Sequence, residues 1–110
     1  MGLFGRRGQR VRDTRAERGA DPTDVAHLER FVASRAGVEA YLEPATLMVG
    51  PTVILIGHDG EWTRRRLLPP AAAAFGRRVG IPVYDVGKTG YPQRMRDYNA
   101  RQRTAGQTRR

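Results

Sequence analysis

The sequence predicts a small α/β domain of the α+β kind, in the order α-β-β-β-α-β. Two helices would pack on one sheet of about four strands, with a short helix at the C-terminal end. Three observations carry that expectation. "TDVAHLERFV" at 23–32 repeats apolar residues at helical spacing, "VILI" at 53–56 is a continuous β-branched-rich run, and "HDGE" at 58–61 joins two strand-like stretches. The 110 residues suffice for one domain with a modest core.

Each element has a local reason. Residues 1–20 hold four glycines and no apolar periodicity, so an Arg-rich, disordered arm is expected there. The compact domain is expected over 21–100. A first helix spans 22–36: Asp21 caps it, Pro22 suits its first position and Asp24 places a negative charge in the first turn. Val25, Leu28 and Val32 share its apolar face, with Phe31 beside them, and Gly37 stops it. "GVEAYLEP" then alternates, with Val38, Ala40 and Leu42 on one side and Glu39, Tyr41 and Glu43 on the other. It reads as a half-buried strand.

The run at 53–56 reads as a central strand, Asp59-Gly60 as a hairpin turn and Glu61–Leu67 as the returning strand. Pro69-Pro70 opens a second helix that ends near Gly80, with Arg77 and Arg78 where cations complement the helix dipole. "IPVYDV" at 81–86 is a fourth strand that Pro82 assigns to an edge. Gly87 to Gly90 turn the chain. "GYPQRMRDYNARQR" then reads as a short helix docked through Tyr91, Met95 and Tyr98, with an i,i+4 pair from Asp97 to Arg101. Residues 101–110 are expected to form a disordered basic tail.

The net charge of +9 is unevenly distributed. Residues 1–20 hold six Arg against Asp13 and Glu17, giving +4. Residues 21–90 hold eight basic and eight acidic residues, giving 0, and residues 91–110 hold six Arg against Asp97, giving +5. All excess charge therefore lies at the ends, where cationic segments can neutralise phosphates and release counterions. A solvated tail from an Arg-biased genome gives the same pattern, since nineteen of the twenty basic residues are Arg.

Several chemistries lack their residues. Without cysteine there is neither a disulfide nor a thiolate metal site. The apolar runs are far shorter than a bilayer span, so a cytoplasmic protein with no membrane partner is expected. Gly87-Lys88-Thr89 ends like a phosphate-binding loop, but the position five residues before Gly87 is Pro82, which has no amide hydrogen. Gly90-Tyr91-Pro92 then breaks the helix such a loop requires. His58, Asp59 and Glu61 cluster, yet Asp59 is explained by the turn. The element order also occurs in restriction-endonuclease-like nucleases, but Thr63 stands where their acid-x-lysine pattern has lysine.

Two basic groups remain as candidates. On a strand Trp62, Arg64 and Arg66 share a face, which suits base stacking and phosphate contact. The competing reading places Trp62 in the core and pairs the arginines with Glu39 and Glu43 across the sheet. Arg94, Arg96, Arg101 and Arg103 form a basic exit towards the C-terminus.

"GEWTRRR" and "GIPVYDVGKTGYPQRMRDYNAR", together with the "ADPTD" helix start, resemble a family of small, basic actinobacterial proteins of unassigned mechanism. The resemblance covers about residues 20–101 and implies one compact domain with variable tails. It also brings the label "oxidoreductase", which many members carry, but no catalytic residue to transfer. This chain has no dinucleotide glycine fingerprint, no cysteine pair and no flavin or haem motif, and no cofactor is expected. The functional expectation is a non-catalytic module for a polyanion, RNA or the ribosome ahead of DNA. An adaptor docking an acidic protein is the alternative, and an oxidoreductase-like enzyme is the reading the family label implies.

Overall fold

The computed structural model describes Glu17 and residues 19–108. The expected arm at 1–20 therefore lies mostly outside the described residues. Glu17 itself is buried and takes part in the fold, bonded to Arg78 of the second helix.

Eight elements follow in order: α1 (Pro22–Ser34), β1 (Glu39–Glu43), β2 (Thr52–Ile56), β3 (Trp62–Arg66), α2 (Pro69–Val79), β4 (Val83–Asp85), α3 (Val86–Thr89) and α4 (Gln93–Thr108). The α-β-β-β-α-β order and the C-terminal helix are as the sequence predicts. The strands form one mixed sheet in spatial order β3-β2-β1-β4. β2 runs antiparallel to both its neighbours and β1 runs parallel to β4. From β3 the chain crosses through α2, past β2 and β1, to reach the far edge.

Local chemistry explains most boundaries. Asp21 caps α1 by accepting from the Thr23 amide at 2.8 Å, and Pro22 takes the first turn. α2 begins at Pro69-Pro70 and ends on Gly80 in the left-handed conformation (φ 78°). β4 is only three residues long and follows Pro82, which confirms its edge position. Where a simple turn was expected at Gly87–Gly90, a single helical turn forms instead, capped when Asp85 accepts from the Gly87 amide at 2.8 Å.

The sheet is covered on both faces. On one side Val25, Leu28 and Phe31 of α1 and Ala71, Ala72 and Phe75 of α2 pack on Ala40, Val53 and Leu55. On the other, Met95 of α4 packs on Tyr41, Ile54 and Ile56, flanked by Trp62, Val86 and Tyr91. β1 is consequently not half-buried as its alternation suggested. Tyr41 and Glu43 on its second face are buried, as Ala40 is on its first, because Met95 of α4 packs on Tyr41 while Arg64 and Tyr91 close over Glu43. Each large side chain so enclosed, such as Leu28 or Phe75, contributes roughly 1.5–3 kcal/mol of transfer free energy.

The docked stripe of Tyr91 and Met95 is as expected, but the helix that carries it is longer. α4 continues through residues 101–108, where a disordered tail was expected. Arg, Gln and Ala are good helix formers, and a helix already nucleated by docking extends at little further cost.

Two glycines let helices approach the sheet closely. A Cβ on Gly76 of α2 would lie 2.3 Å from Cγ2 of Val83, so the Val83 side chain of β4 packs directly on the α2 backbone there. Gly60, at the β2–β3 turn, has φ 91°, and a Cβ there would lie 2.1 Å from the Arg94 carbonyl oxygen of α4. Gly60→Ala should therefore cost about 2–4 kcal/mol through backbone strain and displacement of α4. Urea unfolding followed by Trp62 fluorescence measures it, and a change below 1 kcal/mol would show that α4 does not rest on the turn as described.

Candidate nucleic-acid interface

The seven residues singled out from the sequence separate into distinct settings once folded. Trp62, Arg64 and Arg66 do share a face of β3, as alternation requires, and in register they stand opposite Ile56, Ile54 and Thr52. That face is the one on which α4 docks, but the helix covers only its Trp62 end, and Arg64 and Arg66 are exposed. Trp62 packs at the margin of the second core and its Nε1 donates to Asn99 Oδ1 at 2.8 Å. The Arg64 guanidinium lies 5.0 Å from the Trp62 ring centroid, so the aromatic surface meets a cation of the same domain.

Arg64 is held by Glu43. Its Nε and Nη2 donate to the two carboxylate oxygens at 2.7 and 2.9 Å, a bidentate arrangement. Glu43 also accepts from Thr52 Oγ1 at 2.7 Å and from the Tyr91 hydroxyl. Burial alone would push the Glu43 carboxyl up, but the hydrogen bonds from Arg64, Tyr91 and Thr52 and the charge of Arg64 outweigh it. The group is held below its ordinary value. Burial and the bond to this carboxylate push the Tyr91 hydroxyl up.

Arg94 is fixed in the same manner. Its Nη2 donates to Glu39 Oε1 at 2.7 Å and its Nε to the Gly57 carbonyl at 2.9 Å, while Tyr41 donates its hydroxyl to the same Glu39 oxygen at 3.0 Å. The pairing of arginines with Glu39 and Glu43 weighed from the sequence is thus realised, though Arg94 of α4 rather than Arg66 takes Glu39. Arg64 and Arg94 are both paired to carboxylates of the domain, Arg94 half-buried and Arg64 still exposed.

The other arginines of α4 divide by helical phase. Arg94 and Arg101 are seven residues apart and both face the β2–β3 turn. Arg101 Nη2 donates to the Asp59 carbonyl at 3.0 Å and not to Asp97, whose carboxylate accepts from Gln93 at 3.0 Å; the predicted i,i+4 pair does not form. Arg96 and Arg103 are also seven apart, on the opposite side of the helix, and both are exposed. Arg96 donates to the Gln93 amide oxygen at 3.2 Å, and among the described residues neither Arg96 nor Arg103 has an acidic partner. Residues 100–106 are exposed throughout, so this half of α4 extends past the sheet. Arg66 is exposed at the end of β3.

The sequence reading passed over a polar group between α1 and β3. His27 Nε2 lies 2.6 Å from Thr63 Oγ1, Arg35 Nη2 pairs with Glu61 at 2.6 Å, and Arg30 is exposed beside them. Burial, then the charges of Arg65 and Arg30, push the His27 imidazole below its ordinary value. Positions 27, 30 and 34 recur on one helix side, and that spacing is the signal the sequence carries for this group. Among the described residues no three His, Cys, Asp or Glu side chains converge to hold a metal ion, and no helix is long and apolar enough to cross a membrane.

Glu43 yields a pH prediction. Its folded pKa lies below the ordinary 4.5, so its contribution is complete above that value and is lost as pH falls through the folded pKa. Glu43→Gln should lower stability at neutral pH by about 1–3 kcal/mol and flatten the acid limb of a stability–pH curve below 4.5. Denaturant titrations across pH 3–8 measure both effects, and an unchanged acid limb would remove Glu43 from this role. No protein-family model matches the chain, and neither a curated protein nor a solved structure matches it.

Proposed function

We propose that this chain is a non-catalytic polyanion-binding protein whose ligand is RNA, bound along the outward side of α4. The observation that carries the reading is the division of the arginines. Arg64 and Arg65 of the sheet and Arg94 and Arg101 of the inner side of α4 are tied to carboxylates and carbonyls, whereas Arg96 and Arg103 point outward from a helix that overhangs the domain. A rigid helix with two outward guanidiniums seven residues apart offers phosphate contacts about 10 Å apart, at 1.5 Å rise per residue. The arginines of residues 1–16 and 109–110 add sequence-independent charge. Arg101 contributes from the flank, since its carbonyl bond leaves further donors free.

In this reading Trp62 and Arg64 support the interface by fixing α4 and do not touch the ligand. A ribosomal RNA surface fits the same chemistry as free RNA. DNA is the less favoured partner, and so is the oxidoreductase reading, because the family label brings no catalytic residue to transfer.

Fluorescence anisotropy of the full chain with a mixed-sequence single-stranded RNA tests this. With each single-strand phosphate contact worth a slope of about −0.7 in log K against log salt, the double substitution Arg96→Ala/Arg103→Ala should flatten the slope by about 1.4. The control Lys88→Ala should change it little. A slope unaltered by the double substitution, or no binding at about 50 mM salt, would overturn the proposal.

A further inference from the structure

We propose that the loop between β1 and β2 seats this protein on an anionic membrane surface. Leu47 and Met48 would enter the headgroup boundary while arginines meet the lipid phosphates. The loop, "PATLMVGP" at 44–51, carries no charged residue in a chain that is 28% charged. Its tip holds the two most exposed large apolar side chains among the described residues, Leu47 at 102% and Met48 at 88%. Val49 stands beside them at 40%. Single apolar residues are ordinary on a protein surface, but three in succession at one tip are not.

The backbone of the tip is already prepared to leave water. Thr46 Oγ1 accepts from the amides of Met48 at 3.3 Å and Val49 at 3.0 Å, and the Thr46 amide donates to the Val49 carbonyl at 2.7 Å. Polar backbone groups that enter an apolar phase must be bonded within the chain, and these amides meet that condition. Pro44 and Pro51 bracket the loop and have no amide hydrogen to satisfy.

Stable seating on a bilayer surface takes a second signal besides a short apolar one, and the base of the loop supplies it as charge. Gly50 and Pro51 line a cleft of about 370 Å³ together with Gly19, Arg66 and the exposed Leu68. Arg66 is exposed and has no acidic partner among the described residues. Asp21 and Asp24 also line the cleft, the first capping α1 and the second paired with Arg65. The six arginines of residues 1–18 join the domain at Gly19, with Asp13 as their one acid besides the buried Glu17. Apolar tip and cationic segment therefore meet at one end of the molecule. A second copy of this chain is a poor occupant. Two such tips would bury only a few hundred Å², against about 800 Å² per partner in a stable interface, and would bring two arginine-rich segments together. A nucleic acid offers the three apolar side chains nothing to enter. A bilayer boundary accepts a convex apolar tip without a shaped pocket, and its acidic headgroups complement the arginines. The expectation of no membrane partner rests on the lack of a spanning run, which a surface-seated loop does not need. The RNA reading uses Arg96 and Arg103, neither of which belongs to this surface, so the two proposals stand or fall separately.

The test is flotation of the full chain with vesicles of phosphatidylcholine containing about one-third phosphatidylserine. Leu47→Ser/Met48→Ser should weaken binding about tenfold or more, and vesicles of phosphatidylcholine alone should bind about tenfold more weakly. Because the chain lacks cysteine, Leu47→Cys can carry a polarity-sensitive dye without a competing site. Its emission should shift to the blue on the anionic vesicles, while the same dye on Gln102→Cys, exposed on α4, should not shift. Binding unchanged by the double substitution, equal binding to both vesicles, or an unshifted dye on Leu47→Cys would each overturn the proposal. So would a lipid-free oligomer that the double substitution dissolves, since the tip would then belong to a second copy.

Discussion

The buried carboxylate of Glu43 is the constraint on which the rest of the structure depends. It sits at the end of β1 and accepts from Thr52 of β2, Arg64 of β3 and Tyr91 ahead of α4, so four segments meet on one side chain. A charge so placed is tolerable only when its lone pairs are filled, and partial satisfaction would be worse than an apolar residue. The requirement fixes the strand register, the direction of Arg64 and the point where the C-terminal segment joins the sheet.

Docking of α4 follows from that anchor. Tyr91 is held by Glu43, Met95 enters the second core one turn later, and Arg94 spans Glu39 and the carbonyl of Gly57. Gly60 then allows the helix backbone to rest directly on the hairpin turn. With its inner side committed over this length, α4 can present only its outer side to a ligand. Arg96 and Arg103 are outward because Arg94 and Met95 are inward; helical phase allows no other arrangement.

The same pairing divides the charge of the molecule. Glu17, Asp24, Glu29, Glu39, Glu43 and Glu61 bind Arg35, Arg64, Arg65, Arg78 and Arg94 within the domain. Such pairs, several of them half-exposed, add modestly to stability and set a carboxylate beside each of these arginines, which weakens their pull on a polyanion. What remains outward is concentrated on α4 and along the β3 edge. The first of these bears the proposed RNA contacts.

Much of the fold was legible in the sequence because its signals are local. Asp21-Pro22, Asp59-Gly60, Pro69-Pro70, Gly80 and Pro82 act through their own backbone, and each stands where its chemistry predicts. The apolar faces of α1 and of the run at 53–56 could be read for the same reason. Tertiary structure alone decided that β1 is enclosed on both faces, since its alternation of Glu39, Tyr41 and Glu43 looks like solvent exposure until α4 is placed over it. It also decided which arginines are free. Arg64 and Arg66 occupy equivalent positions in sequence, yet only Arg64 meets Glu43, and Arg94 and Arg96 differ only in helical phase relative to a sheet the chain must first build. Charge composition is a property of the sequence, whereas charge accessibility depends on partners brought together from distant positions.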